Sequence, residues 1–200
     1  MAKPAWLNTN KSSGSGNDTV AVSTLNPHTG RTARAGDLTF RASGVTDKVV
    51  AVTQNGKPEF VTIESAKAAA QGGGNITITG KTNSKKLTFS LGAGDLTFTL
   101  PSSYTAHSLT TNNGVNISGD PGATQEIDYS IVLNIPVNGG TSEKTKQLIV
   151  THEGGTQAIC LITQAATAAT LSVSPVTITL DWEGTAQTVT VTSNTSWEII

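Results

Sequence analysis

Apolar residues in this chain alternate with polar ones in short runs. Thr19-Val-Ala-Val22, Ile76-Thr-Ile-Thr79, Thr188-Val-Thr-Val-Thr192 and Ala158-Ile-Cys-Leu-Ile162 carry the period-2 pattern of half-buried β-strands. Turns rich in Gly, Asn and Pro follow about every 8–12 residues, the spacing of immunoglobulin-like sandwiches. One stretch, Glu64-Ser-Ala-Lys-Ala-Ala-Ala70, is made of good helix formers, but Gly72-Gly-Gly74 ends it after about two turns. It aligns with Ser174-Pro-Val-Thr-Ile178 elsewhere in the chain and reads as a strand-edge segment or a single turn.

Laying the chain on itself shows a repeat. Asp37-Leu-Thr-Phe40 matches Gln147-Leu-Ile-Val150, Val50-Ala-Val-Thr-Gln54 matches Cys160-Leu-Ile-Thr-Gln164, and Val61-Thr-Ile63 matches Leu171-Ser-Val173, all at an offset of 110. A fourth match, Ile76-Thr-Ile-Thr79 with Val189-Thr-Val-Thr192, falls at 113. The order is therefore closing half, complete copy, opening half: residues 1–57, 58–166 and 167–200. The predicted fold is all-β, with two immunoglobulin-like sandwiches, one assembled from the two chain termini. Two hundred residues are enough for two such domains.

A net charge of −1 with scattered Lys and Arg offers no basic stripe for nucleic acid. No apolar run approaches membrane-spanning length, and Met1-Ala-Lys-Pro-Ala-Trp6 lacks the apolar region of a secretory signal, so a native start implies a protein made and kept in the cytoplasm. Asn17, Asn75, Asn116 and Asn194 open glycosylation sequons, which matter only in a glycosylating compartment. Cys160, the single cysteine, reads as a small core hydrophobe and excludes an intrachain disulfide. His28, His107 and His152 are far apart and lack partners at metal-ligand spacing; they read as solvated loop residues. Asp95, Asp120, Glu126 and Asp128 would gather around a cation if Gly119-Asp-Pro-Gly122 folded back. Ser13-Gly-Ser-Gly-Asn17 precedes a strand rather than a helix and is no phosphate loop. No catalytic residue, cofactor or metal is predicted.

Read in swapped order, the termini resemble a known family. Leu171-Ser-Val-Ser-Pro175, Gly184-Thr-Ala-Gln-Thr-Val-Thr-Val-Thr192 and Ser193-Asn-Thr-Ser-Trp197, followed by Trp6-Leu7, Ser13-Gly-Ser-Gly-Asn17, Arg31-Thr-Ala-Arg34 and Val52-Thr-Gln-Asn-Gly56, resemble the BACON domain. This is an immunoglobulin-like family of Bacteroidetes and their phages. The central copy departs from the pattern, with Lys85-Lys86-Leu87 and Val115-Asn-Ile117 where the tryptophans stand. The resemblance implies the fold and a proposed carbohydrate-binding role. Of the tryptophans a sugar site would use, Trp6, beside Leu7, and Trp197 are expected to pack in the closed domain, whereas Trp182, between Asp181 and Glu183, is the candidate glycan contact.

Half a sandwich exposes an apolar face and unpaired edges. Three resolutions stand open: closure within the chain, as in a circular permutation; exchange of halves between chains into a ring or filament; and truncation. Residues 55–59 and 165–169 link the segments with a reach of about 17 Å each. Lack of a leader and of catalytic groups leads to the expectation of an auxiliary or decoration capsid protein of a Bacteroidetes-infecting, crAss-like phage. Such a protein is assembled in the host cytoplasm and partners major capsid protein or other virion proteins. The alternative is a carbohydrate-binding module recognising surface glycans.

Overall fold

The computed structural model describes residues 3–200; the leader reading begins on Met1 and Ala2, outside the described residues. Fifteen strands follow one another: β1 (Leu7–Thr9), β2 (Val22–Thr24), β3 (Arg34–Phe40), β4 (Lys48–Gln54), β5 (Val61–Ile63), β6 (Ala66–Ala69), β7 (Gly74–Thr82), β8 (Leu87–Leu91), β9 (Ser103–Ala106), β10 (Leu109–Asn112), β11 (Ile127–Ile135), β12 (Lys144–His152), β13 (Gln157–Gln164), β14 (Leu171–Ser174) and β15 (Thr190–Ser193). The protein is all-β, with a single turn of 3-10 helix at Pro121–Ala123. No helix among the described residues is long and apolar enough to cross a membrane.

Strands β5 to β13 form a complete sandwich. One sheet has the order β10-β9-β11-β7-β5, the other β6-β13-β12-β8. Alternation along β11 turns Ile127, Tyr129, Ile131, Leu133 and Ile135 inward, where they meet Leu148 and Val150 of β12 and Cys160 and Ile162 of β13. Tyr129 needs room to lie flat in this layer. Its hydroxyl donates to the Thr62 carbonyl at 2.6 Å by passing over Gly80, where a Cβ would come within 2.1 Å of that same oxygen.

Ala66–Ala69 is a strand, paired in parallel with β13. Alanine's helix propensity is worth only tenths of a kcal/mol per residue, and a free sheet edge offers backbone partners that outweigh it. The two ends of this sandwich are unlike. Its starting pole carries the end of β7, Asn83 and Ser84, and the 3-10 turn. Its exit pole carries the start of β7 and buried Gln164, whose Nε2 donates to the carbonyls of Pro136 at 2.6 Å and Ala70 at 3.2 Å.

The terminal segments reproduce parts of this sandwich. In the hairpin β3–β4, Arg34 faces Gln54 and Leu38 faces Val50; in β12–β13, Lys144 faces Gln164 and Leu148 faces Cys160, the same register 110 residues on. In β14–β15, Leu171 faces Ser193 and Val173 faces Val191, as Val61 faces Thr82 and Ile63 faces Gly80. That pairing corrects the fourth sequence match, since Val191 answers to Gly80 at an offset of 111 rather than 113. A shift of two leaves the same face inward, which is why the pattern alone does not separate the two alignments.

Hydrogen bonds repeat as well. Asn83 Oδ1 accepts from Phe60 N at 3.0 Å and its Nδ2 donates to Pro58 O at 3.2 Å; Asn194 does the same with Thr170 N at 2.8 Å and Ala168 O at 2.9 Å. Thr82 Oγ1 donates to Phe60 O, and Ser193 Oγ to Thr170 O.

Replacing Leu148, fully buried at the sheet interface, with Ala is expected to destabilise the complete sandwich by about 2–5 kcal/mol. Urea unfolding followed through Tyr104 and Tyr129, the only tyrosines, reads this sandwich alone; all three tryptophans lie outside it.

Burial pushes the Cys160 thiol up to about 11 and the Tyr104 hydroxyl up to about 12, and raises Tyr129 as well. A raised folded-state value favours the neutral form. The stability this provides is complete below the unfolded thiol's value of about 9 and is lost as pH rises through about 11. The urea midpoint is therefore expected to hold from pH 7 to 8.5 and to fall between pH 9 and 11. A midpoint flat to pH 11 would contradict it.

Candidate assembly interface

The closing half is held end-on against the starting pole of the complete sandwich. Gly30 is buried there, with no room for a Cβ, which would lie 2.3 Å from the Thr124 backbone. That closeness lets Arg31 N and Thr32 N donate to the carbonyls of Gly122 and Ala123, both at 3.0 Å. The Arg31 guanidinium pairs with Asp120 and donates to Asn83 O at 3.0 Å. Glu126 N donates to Thr29 Oγ1 at 3.0 Å, and Lys57 Nζ reaches the Glu126 carboxylate at 3.0 Å. Lys57 holds the Glu126 carboxyl below the usual range. The Asn83 side chain sits at the centre, fully buried, its amide also directed at Thr29 O and Lys57 O. A junction built from so many directional bonds fixes an orientation rather than merely excluding water.

Away from the junction, both halves are open. Among the described residues β3–β4, β1–β2 and β14–β15 are separate two-stranded sheets, and no strand of the closing half pairs with one of the opening half. Positions fully buried in the complete sandwich are uncovered in its partial copies. Val50 is 49% exposed where Cys160 is 0%, Phe40 is 43% where Val150 is 0%, and Val189 is 44% where Ile78 is 0%. Beside β3 lies a cleft of about 590 Å³ lined by Val20, Leu38, Phe40 and Arg41 together with the loop at Ser12, Ser13 and Gly14.

The tryptophans divide. Leu7 is fully buried and Trp6 half-buried, its ring under the Arg34 guanidinium at 4.7 Å. Trp197 is half exposed and Trp182 is 93% exposed, its ring in solvent. The structure thus brings Trp6 and Leu7 together in the closing half and leaves Trp197 apart from them.

Two readings of polar residues need correction. His152 is buried rather than solvated: its Nδ1 lies 3.3 Å from a Glu59 carboxylate oxygen, because its position at the end of β12 faces the core. The four acidic residues do not gather around one cation, because side-chain and backbone donors on different elements engage them. Asp120 pairs with Arg31, Glu126 and Asp128 with Lys81, and Asp95 accepts from Thr145 N at 2.9 Å. No cluster of three potential metal ligands occurs among the described residues. Hydropathy missed Asn83 and the Arg31–Asp120 pair, since buried polar residues look like surface ones; the Arg-rich turn at Arg31 to Arg34 was their one visible signal.

No family model matches the chain, and no curated protein matches it. Among solved structures it is similar to the Bacteroides ovatus GH5 xyloglucanase in complex with a XXXG heptasaccharide, at 12% identity and a TM-score of 0.32, over 55% of this chain and 19% of that one. It is similar to an endo-fucoidan hydrolase from glycoside hydrolase family 107 at 14% identity and a TM-score of 0.30, over 84% of this chain and 23% of the other. The collagen binding domain of Erysipelothrix rhusiopathiae surface protein RspB aligns at 8% identity and a TM-score of 0.20, over 74% and 63% of the two chains. The chain thus spans about a fifth of the length of each hydrolase.

Arg31→Ala removes the charged bonds to Asp120 and Asn83 at the junction. Limited proteolysis is expected to cut within residues 55–59 several-fold faster, with the tyrosine-monitored unfolding of the complete sandwich moved by less than about 1 kcal/mol. Unchanged cleavage would mean that the backbone bonds, the Lys57–Glu126 pair and the Thr29 and Asn83 side chains hold the joint without Arg31.

Proposed function

We propose that the chain is a non-enzymatic structural protein of a virion: an auxiliary or decoration capsid protein, built from BACON-like immunoglobulin sandwiches, of a phage infecting Bacteroidetes. The observation that carries this reading is the end-on joint, held by directional hydrogen bonds and ion pairs, between a complete sandwich and a second partial one. Stacked modules with oriented joints serve reach and docking rather than chemistry. The resemblance of the reordered termini to BACON sequences supplies the phage setting, by analogy of family rather than of site. Asp120, Glu126 and His152 are engaged by Arg31, Lys57 and Glu59 at the junction and at the end of β12. Partners on this reading are the major capsid protein or other virion proteins, met in the host cytoplasm during assembly.

One observation favours a second role. Trp182 presents its ring to solvent, as a residue that stacks on a pyranose must. Quantitative mass spectrometry of gradient-purified particles is expected to find the chain at a fixed ratio to the major capsid protein. Its absence from particles, with glycan binding abolished by Trp182→Ala, would replace the virion reading with the carbohydrate-binding one.

A further inference from the structure

The complete sandwich is a template for how the open halves fit. Its edge strand β6 has a single partner, β13, with Leu161 facing Ala66, Ile162 facing Lys67, Thr163 facing Ala68 and Gln164 facing Ala69. Subtracting and adding 110 places residues 176–179 along the free edge of β4. Ala51 would then face Val176, Val52 would face Thr177, Thr53 would face Ile178, and Gln54 would face Thr179. Residues 176–179 form no strand here, and neither do residues 197–200, which stand where β8 begins. Both segments lack structure at the places whose template partners, β13 and β12, have their counterparts in the closing half. With the turn after Asn194 one residue shorter than the turn after Asn83, Trp197 and Ile199 correspond to Leu87 and Phe89, core residues in the complete sandwich. The template pairing of Val150 with Phe89 would set Ile199 beside Phe40, in the cleft along β3.

The chain's own halves do not reach one another in that arrangement. The closing half seats its exit end on the starting pole of the complete sandwich, so Leu171 would have to stand at the far end of the stack. From the exit pole, where residues 165–169 leave, that is two strand lengths of nine residues, about 60 Å, against a linker reach of about 17 Å. A neighbouring copy meets no such limit. Its linker would join its exit pole to the starting end of the completed domain, the same relation that residues 55–59 already make within each chain.

We propose that this protein assembles head to tail with further copies of itself, β14, β15 and the segments around them completing the sandwich begun by β1 to β4 of the next molecule. The interface is heterologous, so copies add in one direction. The pairing stands independently of the virion reading.

The test is disulfide trapping in the full-length chain. Ala51 and Val176 correspond to Leu161 and Ala66, which face solvent, so cysteines there leave the core intact, and Cys160 is buried. Mixing Ala51→Cys protein with Val176→Cys protein under mild oxidation is expected to give a mixed-chain disulfide. Ile178→Cys in place of Val176→Cys, two residues out of register, should give roughly tenfold less. The double variant should give a ladder of linked chains on a non-reducing gel. A double variant trapped as a monomer with an internal disulfide, or no mixed disulfide at all, overturns the proposal. Light scattering of the unmodified chain should show mass rising with concentration. Val173→Asp, on the inward face of β14, should abolish that rise while the near-UV signal of Tyr104 and Tyr129 stays unchanged, and persistence of the rise would likewise overturn it.

Discussion

A β-strand persists only if its backbone groups find partners along an edge and its apolar side chains find a surface to cover, and everything distinctive in this protein follows from where that condition is met. Residues 66–69 and 176–179 occupy equivalent places in the repeat. The first, next to β13, is a strand although rich in alanine; the second, rich in Val, Thr and Ile, is not. Intrinsic preference runs opposite to the outcome, and the available partner decides. The same holds for the faces: Cys160 and Val50 lie at one register position, one enclosed by the opposing sheet and the other open to water.

The interior and the junction are held by different means. Inside the complete sandwich, aliphatic side chains and the ring cluster of Phe89 with Tyr104 and Tyr129 fill the space between sheets, a non-directional interaction that tolerates small changes of angle. At the starting pole the contacts are backbone amides, an arginine–aspartate pair and a buried asparagine. These bonds weaken sharply with misalignment, so the joint sets an angle where the core sets only a distance. Asn83 serves both: it secures the entry into β5 and faces the closing half, while Asn194, its counterpart, performs the first task alone.

The repeat and the all-β class were legible in the sequence because each rests on periodicity, which survives large changes in residue identity; residues 64–70 were narrowed through the repeat only to a strand-edge segment or a single turn, and the strand covers Ala66–Ala69. The offset of the β15 match was misjudged by two residues because alternation is blind to even shifts. The surroundings of His152 and of Asp120, Glu126 and Asp128 were illegible for another reason: their partners are distant along the chain, Arg31 and Lys57 brought into range by the stacking of one module on another, Glu59 and Lys81 by the folding of the complete sandwich itself. Trp182 was read from its charged neighbours, a local signal, and that sufficed to place it in water.

The two poles of the complete sandwich also differ in mechanical character. At the starting pole Arg31, Asp120, Asn83 and Lys57 brace the neighbouring module on several sides. At the exit pole, the position equivalent to Arg31 is Thr141, and Ala165 and Thr167 of the connecting segment are bonded to Asn138, Gly140 and Gln71 of the complete sandwich. The start of the complete sandwich is thus braced by a charged pair whose arginine is a threonine at its exit. Under load, bending would fall between Thr167, bonded to the complete sandwich, and Ala168, bonded to Asn194 of the opening half.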